Sequence, residues 1–598
     1  MDKTYKFTEK REFGLPVHEV WEAVADTNQL NRYAGLFAVN FTPFQKDAKQ
    51  IIRKGKATAF GVVPIEWIEN VFEWVNESHY SVERIYTKGP LKRVIWKVIV
   101  EKVNENHTIM KLDGRFTYQN LFGKAALHIE TLPQLRKMFN YVSMFEKTEK
   151  NYRKTAHFTP LAQVDEKRLT ELAKQLGEIL DEQRMIERLL FTLRMAPDDL
   201  VKKLQPYKWA EDFGFDRGKT IELFLLANEV GLVNYEWNMM CPNCRVPKNR
   251  VTSLRLVKTT VHCDLCGVDF EMDFDKYIEM IFTVHPSIRK VSNEVFCLNG
   301  PFNSPHIVGQ FRIGPNEEKV VDWTPMTENL RMRVLKDNLQ VQLGNVEDLQ
   351  EQVIIYNSLG FVGERFNQAQ QFRIINESEE EIVLAVEKVD WDSFALTARE
   401  VTSLQLFRNL LPAEVLAPGI EIGVSTLTVM FTDLKDSTRL YEEIGDSLAY
   451  ADVKRHFDYL EKQISTHHGS IVKTIGDSVM AVFIKNEDAL DAAIAIQQQM
   501  PDLNETLSHP VSIKVGFHAG PVIAVNANDV LDYFGRTVNM AARVQQQSTG
   551  DDIVITEEVY KTLSRKGMKV LPCDVEPFVV TLHGVDNNQS LYRLTVVK

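Results

Sequence analysis

Two sets of residues in this chain have the types and spacing that chemistry requires. The first is Cys241-Pro-Asn-Cys244 followed by Cys263-Asp-Leu-Cys266, with 18 residues between the pairs. Each pair places two thiolates on one tight turn, and two such turns complete a tetrahedral set for Zn²⁺. All four positions are Cys, so no coordination position is left open for catalysis, and one structural Zn²⁺ is expected. Cys297 and Cys573 stand alone and read as buried apolar residues.

The second set lies towards the C-terminus. Leu427, Val429 and Phe431 alternate as in a strand, which runs into Thr432-Asp433-Leu434-Lys435-Asp436-Ser437-Thr438 and then a helix. Two apolar strands, 470–475 and 478–483, meet at Gly476-Asp477. Asp433 then ends a core strand and Asp477 tips the neighbouring hairpin, so both carboxylates project at one sheet edge. Singly, Asp433 is equally a helix cap and Asp477 a turn residue. Together they are two hard oxygen donors of the kind Mg²⁺ or Mn²⁺ takes beside a phosphate. The backbone after Asp433 enters a helix N-terminus, where N–H groups hold phosphate oxygens. A helix at 489–500 and a strand at 511–518 follow. Beyond them, Leu531-Asp-Tyr-Phe-Gly-Arg-Thr-Val-Asn-Met-Ala-Ala-Arg543 turns helical in its second half. Asn539 and Arg543, four apart, share a helix face.

FTDLKDST, KTIGDSVMAVF, GFHAG and DYFGRTVNMAAR resemble, in order and spacing, the catalytic domain of class III nucleotide cyclases, across residues 425–598. The resemblance implies an adenylate cyclase that converts ATP to 3′,5′-cyclic AMP and pyrophosphate. It implies two Mg²⁺ or Mn²⁺ ions at Asp433, Leu434 and Asp477, and substrate binding by Leu434, Lys435, Asp436, Ser437 and Thr438. By the same resemblance Asn539 orients the ribose and Arg543 stabilises charge at the α-phosphorus, a task suited to a fixed guanidinium. Lys473 and Asp532 match the family's base-reading pair. Adenine offers an acceptor at N1 and a donor at its 6-amino group, and guanine reverses both. Each mispaired buried group costs about 1–3 kcal/mol, which favours ATP over GTP. In the family the aspartates and the arginine serve one site from opposite subunits, so a single catalytic domain implies a homodimer. The alternatives are a guanylate cyclase, or a nucleotide-binding sensor or adaptor with an inactive cyclase domain. One departure stands out: many members carry a Lys in the last hairpin, where this chain has Leu582-His583-Gly584-Val585-Asp586. Either the triphosphate is held less tightly, or another cation such as Arg593 substitutes.

Positioning these groups takes several folded units. A chain of 598 residues suggests about three to five domains, and 44% apolar with 25% charged residues is a globular composition. A net charge of −12 disfavours nucleic acid as a partner. No apolar run is long enough for a transmembrane helix, so no membrane partner is expected. The start MDKTYKFTEKREF lacks the apolar core of a signal peptide. Cysteines arranged as CxxC pairs suit a reduced compartment, and the expected location is cytoplasmic.

The expected fold is multidomain α+β. In residues 1–157 a strand, short helices, many strands (Val94, Trp96, Val98 and Val100 alternating with Lys97) and a long helix from about Leu132 follow one another. That order resembles the helix-grip fold of the START and polyketide-cyclase-like superfamily, which implies an apolar cavity for a hydrophobic small molecule. A solid α+β domain without ligand fits the pattern equally well. Residues 164–238 read as a winged-helix-like helical module, with Leu169, Leu172 and Leu176 on one stripe, a helix opened by Pro197, and Gly231 closing the last helix. Residues 239–292 read as the Cys₄ zinc ribbon and 293–393 as a β-sandwich. Residues 394–424 read as a helical linker opened by the capping box Thr397-Ala-Arg-Glu400, able to pair with its copy in a dimer. Residues 425–598 read as the ferredoxin-like α/β cyclase domain. Helical module, ribbon and β-domain in this order resemble a region before the cyclase in some bacterial multidomain adenylate cyclases, which implies upstream control of the catalytic halves.

Overall fold

The computed structural model describes residues 3–42, 52–59, 61–150, 153, 163–263, 266, 268–292, 294–298, 300–335, 339–346, 349–565, 573–584 and 588–596. No helix among them is long and apolar enough to cross a membrane.

The N-terminal unit follows the expected element order. Strand Lys3–Phe13 pairs antiparallel with His107–Tyr118, and the ladder continues through Leu91–Asn104 to His79–Lys88. Val94, Trp96, Val98 and Val100 are buried and Lys97 is half-buried on the other face, because side chains alternate across a strand. Pro16 precedes helix Val17–Ala25, which buries Val20, Trp21 and Val24. The long helix Leu132–Lys147 buries Leu135, Phe139, Val142 and Phe145 against the sheet. Side chains such as Phe7, Phe13, Trp21 and Phe116 fill the space between helix and sheet.

The structure departs from the expected organisation in three larger ways and at one further boundary. First, residues 1–157 and 293–393 share a sheet. Strand Glu73–Val75 pairs with Ile307–Ile313, Val75 opposite Gly309 and Trp74 opposite Gln310, giving 13 continuous strands among the described residues. Trp74 Nε1 donates to Ile307 O at 3.0 Å, and Gln310 Nε2 to Phe72 O at 2.6 Å. The open N–H and C=O groups of an edge strand accept whichever strand covers them, and alternation does not reveal which one does. A second sheet, running from Glu318–Asp322 through Gln371–Asn376 to Glu351–Asn357, completes the sandwich around Trp323, Phe372 and Leu384. Cys297 is buried in the N-terminal core, whereas Cys573 is only half-buried.

Second, the helical module and the ribbon are one body. Strand Val233–Met240 crosses the expected 238/239 boundary and pairs with Pro247–Val251 and Ile278–Val284. Helices Glu166–Ile179, Gln183–Met195, Pro206–Phe213 and Arg217–Glu229 contribute to the same core, and Gly231 ends the last at φ +84°. Pro197 opens only a single turn, Asp198–Val201. Asp198 is buried there and binds Arg289 Nη2 and the Ser292 amide.

Third, the linker is not free. It forms two short helices, Ala398–Thr402 and Gln405–Leu410, the first with the expected capping box. Val401 and Phe407 are buried in one cluster with Trp237, Val429 and Tyr533. Val401 and Phe407 are therefore covered within the chain, between the Cys-bearing body and the C-terminal sheet, while Leu404 is half-buried.

The C-terminal sheet begins at Glu421, ahead of the expected 425. Its strand order is Ser470–Ile475, Ser478–Phe483, Glu421–Leu434, Ile513–Ala527, Ile553–Thr556, Gln589–Val596, Cys573–Val580, and Val530–Phe534 adds to Ile513–Ala527. Helices Asp446–Thr466, Asn486–Gln498 and Glu557–Arg565 cover one face over Met430, Val479 and Phe517. Helix Arg536–Gln545 lies on the other, where Gly516 allows close approach: a Cβ there would sit 2.4 Å from Gln545 Cα.

Candidate active site at the edge of the C-terminal sheet

Asp433 is the penultimate residue of strand Glu421–Leu434 and lies opposite Lys514 in the ladder. Asp477 occupies the turn between strands Ser470–Ile475 and Ser478–Phe483, where Gly476 supplies φ +64°. Because Thr432 pairs with Val479, the strand end and the turn meet at one edge. The Ser478 hydroxyl donates to Asp433. Burial raises the Asp433 carboxyl above its usual range; the Ser478 bond opposes this, the Asp477 charge adds to it, and the Lys514 charge opposes it. Asp477 Oδ2 is buried and has no hydrogen-bond partner among the described residues. Two neighbouring carboxylates, one with an orphaned buried oxygen, form a donor set that fits a hard divalent cation. His456, on helix Asp446–Thr466, lies beside Asp477 and is held neutral, its pKa lowered by burial to about 4. Nothing in the sequence marked His456. Lys514 was also missed, although a lone lysine in an otherwise apolar strand was a usable signal.

Of the expected phosphate-binding segment, Leu434 is buried, Lys435 and Asp436 are exposed and Ser437 is half-buried. Asp436 has φ +55° and turns the chain into helix Ser437–Ile444. The Lys435 amide already donates to Ser512 O at 2.9 Å, so an anion would meet the amides that follow it. The Thr438 side chain lies outside the described residues.

Lys473 and Asp532 come from different strands, yet Lys473 Nζ lies 2.5 Å from Asp532 Oδ2. A β-bulge between Ile471 and Lys473 re-aims the lysine. Asp532 is 2% exposed and its Oδ1 accepts the Tyr533 amide at 2.8 Å. Lys473 Nζ also sits 5.2 Å from the centre of the Phe534 ring. Ile475 and Phe534, next to these polar groups, are exposed apolar side chains.

Helix Arg536–Gln545 buries Met540, Ala541 and Val544, leaving Asn539 exposed and Arg543 half-buried. Arg543 Nη1 donates to Gly584 O at 3.3 Å. Among the described residues no hydrogen bond or ion pair joins Asn539 or Arg543 to either aspartate. Arg593 is engaged elsewhere, donating to Gln547 O at 2.9 Å and pairing with Asp552 at 3.4 Å. Val585 and Asp586 of the last hairpin lie outside the described residues.

The four paired cysteines converge as well. All are buried, with sulfurs within 4.8 Å of one another: Cys241–Cys266 are 4.0 Å apart and Cys244–Cys263 are 3.7 Å apart. A tetrahedron of Zn–S bonds of about 2.3 Å has edges of about 3.8 Å, whereas a disulfide needs about 2.05 Å. The Cys266 amide donates to Cys263 Sγ at 3.3 Å, fixing one knuckle. The spacing and the donor type fit Zn²⁺.

Comparison with known proteins places a family on this geometry. The adenylate and guanylate cyclase catalytic domain family matches residues 423–589, and a family of unknown function (DUF5939) matches 166–295. An adenylate cyclase of Anabaena cylindrica is 30% identical over 188 residues, covering 27% of this chain and 38% of that one. One of Podospora anserina is 27% identical over 176 residues, covering 26% and 8%. The chain thus spans less than two-fifths of the length of these curated relatives. The crystal structure of the adenylyl cyclase CyaB from P. aeruginosa aligns at 23% identity and a TM-score of 0.27, covering 30% of this chain and 97% of that one. Residues 423–589 of this protein therefore carry a class III adenylate/guanylate cyclase catalytic domain.

Proposed function

We propose that the chain is an adenylate cyclase that cyclises ATP to 3′,5′-cyclic AMP and releases pyrophosphate. The observation that carries this is the convergence of Asp433 and Asp477 at one sheet edge, with a buried orphan oxygen, inside a domain matched to the cyclase family. Asp433, Asp477 and the main chain at Leu434 would hold two Mg²⁺ or Mn²⁺ ions. When bound, such ions would lower the pKa of the ribose 3′-hydroxyl and would neutralise charge on the α-phosphoryl group and pyrophosphate. The chain's own groups do the rest. Lys435, Lys514 and the amides of 436–438 hold the triphosphate. Adenine enters between Lys473 and Asp532 and replaces their mutual ion pair: Lys473 donates to N1 and Asp532 accepts from the 6-amino group. Guanine would face both with the wrong polarity. Asn539 orients the ribose and Arg543 faces the charge accumulating on the α-phosphoryl oxygens. The 3′-oxygen bonds to the α-phosphorus as the bond to pyrophosphate breaks, and the hydroxyl proton leaves to solvent.

No hydrogen bond or ion pair among the described residues joins Asn539 or Arg543 to the aspartates of the same chain, which supports a homodimer with two composite sites. The exposed apolar residues Ile475 and Phe534 beside the site suit such an interface. The Cys₄ set is a structural Zn²⁺ site. The N-terminal unit, by its element order, is a START-like module; a hydrophobic ligand would have to displace side chains from its packed interior. The upstream units regulate a cytoplasmic enzyme.

The test is to incubate the purified chain with ATP or GTP under Mg²⁺ or Mn²⁺. Cyclic AMP should form and disappear in a folded Asp477→Ala variant. Absence of cyclic AMP, or cyclic GMP at an equal rate, overturns the proposal.

A further inference from the structure

The two side chains that would read the base are held from behind by one linker helix. On helix Gln405–Leu410, Gln405 and Arg408 are three residues apart and share a face. Gln405 Oε1 accepts the Ile471 amide at 2.7 Å, at the bulge that re-aims Lys473. Arg408 Nη1 donates to Leu531 O at 2.9 Å, one residue before Asp532. Arg408 Nε donates to Thr402 O at 2.9 Å, and its guanidinium lies 5.7 Å from the centre of the Tyr533 ring. Thr402 Oγ1 and Tyr533 OH lie 3.0 Å apart. Val472, Leu531 and Tyr533 are buried in one cluster with Phe407, so the apolar faces of both strands rest on the linker while Lys473 and Asp532 meet on the other side. The helix pair is itself anchored to the Cys-bearing body by Arg399 Nη1 and Asp275 Oδ1 at 2.9 Å.

We propose that Gln405 and Arg408 are positioning residues that set the distance between Lys473 and Asp532 and thereby the enzyme's affinity and preference for adenine. This rests on the adenylate cyclase function above. Strand Ser470–Ile475 lies at the edge of its sheet, where outward amides need a partner, and Gln405 satisfies that of Ile471 beside the bulge. Leu531 O is likewise held by a planar two-armed donor that also grips Thr402 O, a geometry lysine does not reproduce. Among the described residues no hydrogen bond or ion pair joins Gln405 or Arg408 to Asp433 or Asp477, so the effect falls on base recognition and not on the chemical step.

The test uses the full chain with Arg408→Lys and Gln405→Leu, measuring cyclase kinetics with ATP and GTP alongside thermal unfolding. Each variant should raise KM for ATP by about tenfold, lower the ATP-over-GTP ratio of kcat/KM by a similar factor, and leave kcat within about threefold. If Arg408→Lys does not fold, Gln405→Leu decides. A fall in kcat with KM and the nucleotide ratio unchanged is what a merely structural helix would give, and overturns the proposal. If the wild-type chain turns over neither nucleotide, the proposed function fails. The positioning role is then judged by calorimetric binding of ATP and GTP, where an unchanged preference in both variants refutes it.

Discussion

A composite site has a stoichiometric consequence. Asp433→Ala removes one carboxylate of the proposed cation site, and Arg543→Ala removes the guanidinium carried by helix Arg536–Gln545. Each homodimeric variant has two defective sites, and losing one charged transition-state contact costs at least about a hundredfold in kcat. Mixed in equal amounts and allowed to exchange, half of the dimers contain one chain of each kind. Within such a dimer one site combines both lesions. The other combines the intact aspartates of the Arg543→Ala chain with the intact arginine of the Asp433→Ala chain. One of two sites in half of the dimers gives about one quarter of wild-type activity per chain. The assay is cyclic AMP production at saturating ATP, after co-expression to ensure exchange, with the dimer fraction measured by light scattering. Recovery of about a quarter supports a shared site. If mixed dimers form and activity stays at the level of the separate variants, the aspartates and Arg543 do not serve one site, and the division of labour between subunits is wrong.

Metal analysis of the native chain should find one Zn²⁺ per chain bound by the four sulfurs, and Cys263→Ser should lose it and lower Tm by at least about 5 °C; a zinc-free native protein of unchanged stability refutes the site. Glu279, buried beside Trp391 Nε1 at 3.0 Å, has its pKa raised by burial to about 8. A raised folded-state pKa means its protonated form favours folding below about pH 4.5, and that this contribution, at most about 5 kcal/mol, is lost as pH rises towards 8. Glu279→Gln should therefore gain stability over the wild type progressively between pH 5 and 8 in thermal unfolding scans, and a difference independent of pH refutes the assignment.

Much of the proposed C-terminal site was legible because its residues sit on regular elements. Asp433 follows an alternating strand and Asp477 sits between two apolar runs, so local patterning alone put both at one edge. Strands 470–475 and 478–483 were placed to the residue for the same reason. Lys514 escaped because its role depends on lying opposite Asp433 in the ladder, and His456 because its helix is read for apolar periodicity, which a buried imidazole does not announce. The linker was misjudged more deeply. Its capping box at Thr397 was legible, but periodicity carries no address. Its partners are the Cys-bearing body and the C-terminal sheet of the same chain.

What the amino-acid order determined by itself was local: the CxxC turns, the carboxylates at strand ends, the Asn539–Arg543 face, and the helices and strands that carry them. These follow from dihedral preferences and the spacing of apolar residues, which act over a few positions. What only the tertiary structure decided was which exposed edges and stripes meet. It joined the first and fourth units through Glu73–Val75 and Ile307–Ile313, fused the helices with the Cys₄ body, and set Gln405 and Arg408 behind the Lys473–Asp532 pair. The physical reason is that hydrophobic burial is non-directional and an edge strand offers the same hydrogen bonds to any taker, so long-range partners are selected by the fit of the whole surface and not by any short stretch of sequence.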